Sequence, residues 1–211
     1  MQLFIDELVR QSSEIGMQVS TKKSKEMFVG WTLKDPPPSV TLSGETVKRV
    51  ATFRLLGIHV SNDLKWAQHI QAISAKDAAR LYFLKQQKRA GDGTDDLLCF
   101  YCSVIRPVLE YAYPVWHSSL TVALSRALES IQKRAMNIIF PDMDYKLSLI
   151  AARIDTLEER QEVLTKRFFR RAIMPESSCL HYLLPDKRDS DILNKFRCPK
   201  IFQPLTVNTE I

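Results

Sequence analysis

At 211 residues, 45% hydrophobic and 26% charged, the chain can bury a real core, and its composition excludes global disorder. Its 30 lysines and arginines against 24 acids leave a net charge of +6, a moderate excess that suits a nucleic-acid partner without requiring one. Cys99, Cys102, Cys179 and Cys198 read as reduced thiols rather than a disulfide framework. No apolar stretch reaches the roughly 20 residues that span a bilayer, and residues 1–10 lack a signal-peptide layout. The expectation is an intracellular protein, cytoplasmic or nuclear, with no membrane partner.

In chain order, Leu3, Phe4, Leu8 and Ile15 set a helical spacing over residues 2–15, and Gly16 reads as its stop. Residues 26–33 look like a strand, ended by Asp35 and the run Pro36, Pro37, Pro38. A short hairpin follows around Ser43 and Gly44, and residues 53–60 read as a further single strand. After Asn62 and Asp63 the character turns helical. Ile70, Ile73, Leu81 and Leu84 recur at helical spacing up to a break at residues 91–93. Thr94 reads as the N-cap of the next helix, with Asp95 and Asp96 in its first turn. Pro107 must kink or end that helix, and Pro114 breaks the segment behind it. Leu124, Leu128, Ile131, Ala135 and Ile138 mark an amphipathic helix over 122–139, closed by Pro141. Thr156 and Glu159 form a capping-box pattern for a last helix, to about Ile173. From Pro175 onward the composition predicts an irregular tail.

Catalytic signatures are absent from the sequence. It has no Gly-rich phosphate loop, no Gly-x-Ser-x-Gly elbow and no His-Glu-x-x-His. No histidine is followed two residues later by an acid, so an iron facial triad has no anchor. Cys99 and Cys102 form a C-x-x-C without a second pair, which reads as two buried structural cysteines. Asp95 and Asp96 could pass for a polymerase carboxylate pair, but helix-capping duty explains them. Asp142 and Asp144 read as a solvated loop.

The basic residues are more suggestive. Lys22, Lys23 and Lys25 cluster in a loop. Arg80, Lys85, Lys88 and Arg89 load one helix. Lys166, Arg167, Arg170 and Arg171 flank Phe168 and Phe169 on the last helix, beside a Leu157, Leu164, Phe168 stripe. One reading is a solvated face next to a core stripe. The other is a surface that tracks phosphates, giving salt-dependent and sequence-independent affinity.

Four sequence blocks carry a resemblance. Residues 15–26 read Ile-Gly-Met-Gln-Val-Ser-Thr-Lys-Lys-Ser-Lys-Glu, and residues 53–66 read Phe-Arg-Leu-Leu-Gly-Ile-His-Val-Ser-Asn-Asp-Leu-Lys-Trp. Residues 105–116 read Ile-Arg-Pro-Val-Leu-Glu-Tyr-Ala-Tyr-Pro-Val-Trp, and residues 130–135 read Ser-Ile-Gln-Lys-Arg-Ala. In this order and spacing they resemble the palm end and thumb of LINE-type (non-LTR) retrotransposon reverse transcriptases, which are RNA-directed DNA polymerases. The resemblance spans nearly the whole chain.

That family holds Mg²⁺ with Asp residues on an aromatic-x-Asp-Asp hairpin, which the resemblance places just ahead of residue 1. It therefore carries no catalytic residue, metal ligand or cofactor onto this chain, and implies a fragment inactive by itself. It does place Lys23 near the incoming triphosphate, although Ser20 stands where Asn is usual. It places Leu56 and Gly57 on the strand that supports the primer end, with a bulge as the alternative reading of Gly57. It implies that the thumb helices hold an RNA/DNA primer–template duplex, with Arg80, Lys85, Lys88 and Arg89 as backbone candidates.

Residues 53–91 also resemble a short module found N-terminal to some AlkB-family tRNA-modifying proteins. A non-enzymatic helical interaction protein is a further alternative. The expected fold is α+β, mostly α: a palm-end α/β piece over 1–62, a helical thumb-like region over 63–174, and a tail over 175–211.

Overall fold

Helical spacing governs most of the chain, and the structure follows it. A computed structural model describes residues 1–29 and 37–188. It is 59% helical with a few short strands, which is the α+β, mostly α class expected. By its contacts the chain forms two compact units, the first ending at Leu157 and the second beginning at Glu158.

Helix α1 (Gln2–Glu14) buries none of its residues. Its Leu3 and Phe4 are exposed. Gln2 ties it to the strands: its side-chain amide donates to Thr41 O and accepts from Thr41 N–H, both at 2.9 Å. One primary amide thus satisfies both polar groups of a strand residue, as a neighbouring strand would.

The strands form three separate pairs. β1 (Lys25–Glu26) pairs parallel with β4 (Lys48–Arg49). The expected strand over 26–33 is reduced to this stub, and residues 30–33 lie outside the described residues. The Arg49 guanidinium joins Glu26 at 3.2 Å and sits 4.5 Å from the centre of the Phe28 ring. β2 (Thr41–Leu42) and β3 (Glu45–Thr46) make the hairpin expected around Ser43 and Gly44.

The single strand expected over 53–60 is instead a second hairpin, β5 (Thr52–Leu55) with β6 (Ile58–Ser61). Leu56 and Gly57 are its two-residue turn, with φ of 47° and 88°. Positive φ at both central residues is the turn whose twist matches antiparallel strands, and it favours Asn-Gly. Leu56 pays the steric cost of that conformation while 81% exposed. Leu56→Asn should therefore stabilise the fold by about 0.5–1 kcal/mol, read as a rise in melting temperature. A fall would show that the leucine packs on something.

The core lies in the helices that follow. Helix α2 (Ala67–Ala90) buries Ile70, Ile73, Leu81 and Leu84, as their spacing predicts. It ends at Gly91 (φ 94°), where Gly91 and Asp92 N–H groups return to the Lys88 and Gln87 carbonyls. Only a left-handed residue closes a helix this way without strain.

Helix α3 (Thr94–Phe100) has Gly93, not Thr94, as its N-cap; Thr94 is the first helical residue. Asp95 and Asp96 fill the first turn as expected, exposed to solvent. Pro107 neither ends nor breaks the helix. A π-helical segment (Tyr101–Ile105) leads directly into α4 (Arg106–Leu109). The wider turn absorbs the missing N–H and the clash with the carbonyl four residues back. The chain breaks instead at Ala112, φ 51°, and Pro114 lies in the first turn of α5 (Tyr113–Trp116). Proline there removes only an N–H that would have had no helical partner.

Helix α6 (Val122–Ile139) has the expected bounds, and the Thr121 hydroxyl accepts from Leu124 N–H at 3.4 Å. Asp144 caps α7 (Tyr145–Ala152), accepting from Lys146 N–H. Helix α8 (Leu157–Phe168) continues as a π-helical segment (Phe169–Ile173), matching the expected end.

The α2–α6 contact, closed by α3 and the π segment, holds the core. Leu84, Leu97, Tyr101, Ile105 and Met136 on these elements have essentially no exposure, and neither has Trp116, which packs on His69 at the start of α2. A polar thread crosses it. The Tyr101 hydroxyl donates to Gln132 Oε1 at 2.5 Å, and Gln132 Nε2 donates to Tyr145 Oη and Asp155 O at 3.0 Å each. Tyr145 Oη in turn donates to Glu129, whose other oxygen accepts from Leu157 N–H at 3.0 Å. Burial pushes both phenols well above the ordinary tyrosine value, so they remain donors.

Candidate nucleic-acid interface

The C-terminal half of α2 and the last turns of α6 run side by side and leave a groove of about 600 Å³ between them. Lys85, Lys88 and Arg89 line it from α2, and Arg134 lines it from α6. Tyr82, Asn137 and Pro141 are further parts of the wall, and among the described residues no carboxylate contributes to it.

Helical periodicity explains this arrangement. On α2 the steps from Leu81 to Leu84 point inward, so Tyr82, Lys85 and Arg89 (three and four residues apart) share an adjoining face. On α6, Ile131 and Ala135 are buried, which leaves Arg134 and Asn137 on the groove side. Lys88 has a second duty: its ammonium donates to Ile139 O at 3.3 Å, at the carbonyl end of α6. A cation there offsets the partial negative charge of that helix end, which would otherwise oppose an anion in the groove. Beyond Arg134 and Asn137 lies a second groove of about 410 Å³, with Ser130, Lys133 and Tyr145 in its wall. Arg134 and Asn137 line both concavities, whereas Lys133 lines only the second, whose wall also holds Asp144. A row of cations without carboxylates suits a phosphate backbone, because each ammonium or guanidinium that meets a phosphate releases condensed counterions.

Of the residues chosen from sequence, three belong to this groove and the rest do not. Arg80 is withdrawn from it. Its guanidinium is engaged by Asp77 at 3.1 Å, and the Asp77 side chain is fully buried. Burial drives that carboxyl up to about 6 against the pull of Arg80, so Arg80 is committed to a costly buried acid rather than to an external anion.

Lys23 is exposed in a tight turn, where Lys23 and Ser24 N–H groups return to Ser20 O. Leu56 and Gly57 form a hairpin tip instead of the interior of a strand, so the bulge reading of Gly57 also gives way. The Tyr111 hydroxyl donates to Leu56 O at 2.8 Å. The tip borders a cleft of about 270 Å³ with His69, Lys76 and Pro107, which shares no wall residue with the basic groove. Lys166, Arg167, Arg170 and Arg171 are exposed and belong to the second unit, and Lys166 is paired with Glu162. Phe168 and Phe169 between them are also partly exposed.

Cys99 and Cys102 are exposed, not buried. The inward face of that helix is taken by Leu97, Tyr101 and Ile105. Cys179 is exposed as well, and Cys198 lies outside the described residues.

A buried histidine went unnoticed in the sequence. His69 packs on the Trp116 ring at 5.5 Å and the Trp66 ring at 6.2 Å, and its Nδ1 accepts from His59 N–H at 3.4 Å. Burial, with smaller pushes from His59 and Lys76, lowers its value to about 4. It is neutral at pH 7 and joins the hairpin to the helical core.

Mg²⁺ chemistry of the resembled family needs clustered carboxylates. Among the described residues no group of three or more His, Cys, Asp or Glu could hold a metal ion. Asp142 and Asp144 are exposed, and Asp144 is spent on its helix cap. The described residues do not fit that metal. Among the described residues no helix is long and apolar enough to cross a membrane. No protein-family model matches the chain, and neither a curated protein nor a solved structure matches it.

Proposed function

We propose that this chain is a nucleic-acid-holding segment of non-LTR reverse-transcriptase type, a palm end and thumb that grip a primer–template backbone without making phosphodiester bonds. The carboxylate-free row of Lys85, Lys88, Arg89 and Arg134 in the α2–α6 groove carries this reading. Three further features support it. The four sequence blocks keep the family's order. Lys133 and Arg134 belong to one of those blocks. Leu56 holds a strained conformation while exposed, which costs stability, and such strain tends to persist where function requires it.

The AlkB-associated module is less well supported. Residues 67–90 bury their apolar face within the shared core and pack on α6, so residues 53–91 are not a separable unit.

Lysine footprinting tests the proposal. The protein is acetylated with and without a labelled RNA/DNA duplex, and each lysine is read by mass spectrometry. Lys85 should be protected, while Lys48 and Lys65 should label equally in both samples. Uniform labelling at Lys85 would remove the groove from consideration.

A further inference from the structure

We propose that the α2–α6 groove takes an unpaired nucleic-acid strand, with one base stacked on Tyr82, in preference to a closed duplex. This rests on the nucleic-acid reading above and adds what the groove selects.

Tyr82 and Phe83 are adjacent on α2 and are 60% and 58% exposed. The buried face of α2 is complete without them, because Leu81 and Leu84 fill it. Two large aromatic rings in solvent therefore add little to folding, and together they form an exposed apolar patch. Their centroids are 5.9 Å apart in an edge-to-face arrangement, which restrains the Tyr82 ring before any ligand arrives.

Tyr82 is also part of the groove wall, one turn from Lys85 and two turns from Arg89. The same concavity thus offers cations for a backbone and a ring for a base. A duplex cannot use the ring, since each base face is already covered by its neighbours, and its phosphates lie on a convex surface. A single strand presents base faces and phosphates together, and every base has a face to stack. The wall places Asn137 opposite, where its amide can meet a base edge with either a donor or an acceptor.

The test uses the full chain, fluorescein-labelled oligo-dT and oligo-rU, and a blunt duplex of equal length, with anisotropy read at several KCl concentrations. Wild type should bind the single strands more tightly than the duplex. Tyr82→Ala should weaken single-strand binding about 5–150-fold, the range for one lost stacked base. Its salt slope should be unchanged, because no cation is lost. Tyr82→Trp should retain tight binding, and its added fluorescence should be quenched by oligo-dT. Equal or tighter duplex binding, with Tyr82→Ala within twofold of wild type on both single strands, overturns this inference and leaves the backbone-binding proposal intact. No salt-dependent binding to any of the three probes overturns both.

Discussion

Reversing two charges in the groove, Lys85→Glu with Arg134→Glu, should weaken nucleic-acid binding at least about tenfold at moderate salt. The two cations face the same concavity from α2 and α6, with no carboxylate in the wall to complicate the change. Each lost phosphate contact should lower the salt slope by roughly one, so the double variant should flatten it by about two. Both side chains are exposed, so the fold should survive, which far-UV circular dichroism checks. Lys48→Glu with Lys65→Glu is the matched comparison. It changes net charge equally on exposed side chains remote from the groove wall. Equal losses in the two pairs would reduce the effect to overall charge.

The largest effect on stability should come from Trp116→Ala. Trp116 is fully buried, lies against His69 at 5.5 Å, and donates from Nε1 to Tyr111 O at 3.0 Å. Truncating a buried tryptophan costs about 3–5 kcal/mol through lost contacts and a residual cavity. A domain stable by about 5–15 kcal/mol loses a large share of its margin that way. The melting temperature should fall by roughly 6–20 °C for a chain of this size. The loss should also loosen the hairpin, because Trp116 holds the Tyr111 carbonyl and packs on the His69 ring, while the Tyr111 hydroxyl bonds Leu56 O and His69 Nδ1 accepts from His59 N–H. Trp116→Phe keeps a ring and loses the N–H donor, so it should cost far less. A melt of Trp116→Ala within 2 °C of wild type would place the core elsewhere.

The helical half was legible because its signal is periodic. Ile70, Ile73, Leu81 and Leu84 announced α2, and the steps of three and four over 122–139 announced α6 with correct bounds. Where the sequence misled, a local rule gave way to its neighbours. Pro107 argues for a kink or an end, but the π segment that closes two residues earlier makes room for it. Leu56 argues for a strand interior, because a leucine at positive φ is unexpected; Gly57 beside it was the signal for a turn. Thr94 is a better cap by type than Gly93, yet Gly93 is the cap and the helix starts one residue earlier than expected, at Thr94. Helix α7 is apolar on several faces, with Leu147 and Ile150 exposed and Leu149 buried, so it shows no stripe to detect.

The groove was half legible. Lys85, Lys88 and Arg89 could be chosen from one helix, whereas Arg134 required knowing that α6 packs beside α2. Arg80 looked equivalent to its neighbours until Asp77 proved to be buried beneath it. Pairing across helices is a tertiary fact, and no spacing within either helix encodes it.

The dependence of duplex affinity on KCl concentration tests the groove most directly. Backbone gripping by the four groove cations gives a straight log–log decline with a slope of about −4, at roughly 0.9 per neutralised duplex phosphate. An affinity that stays flat as salt rises, or no measurable duplex binding at low salt, would contradict duplex gripping by the basic row.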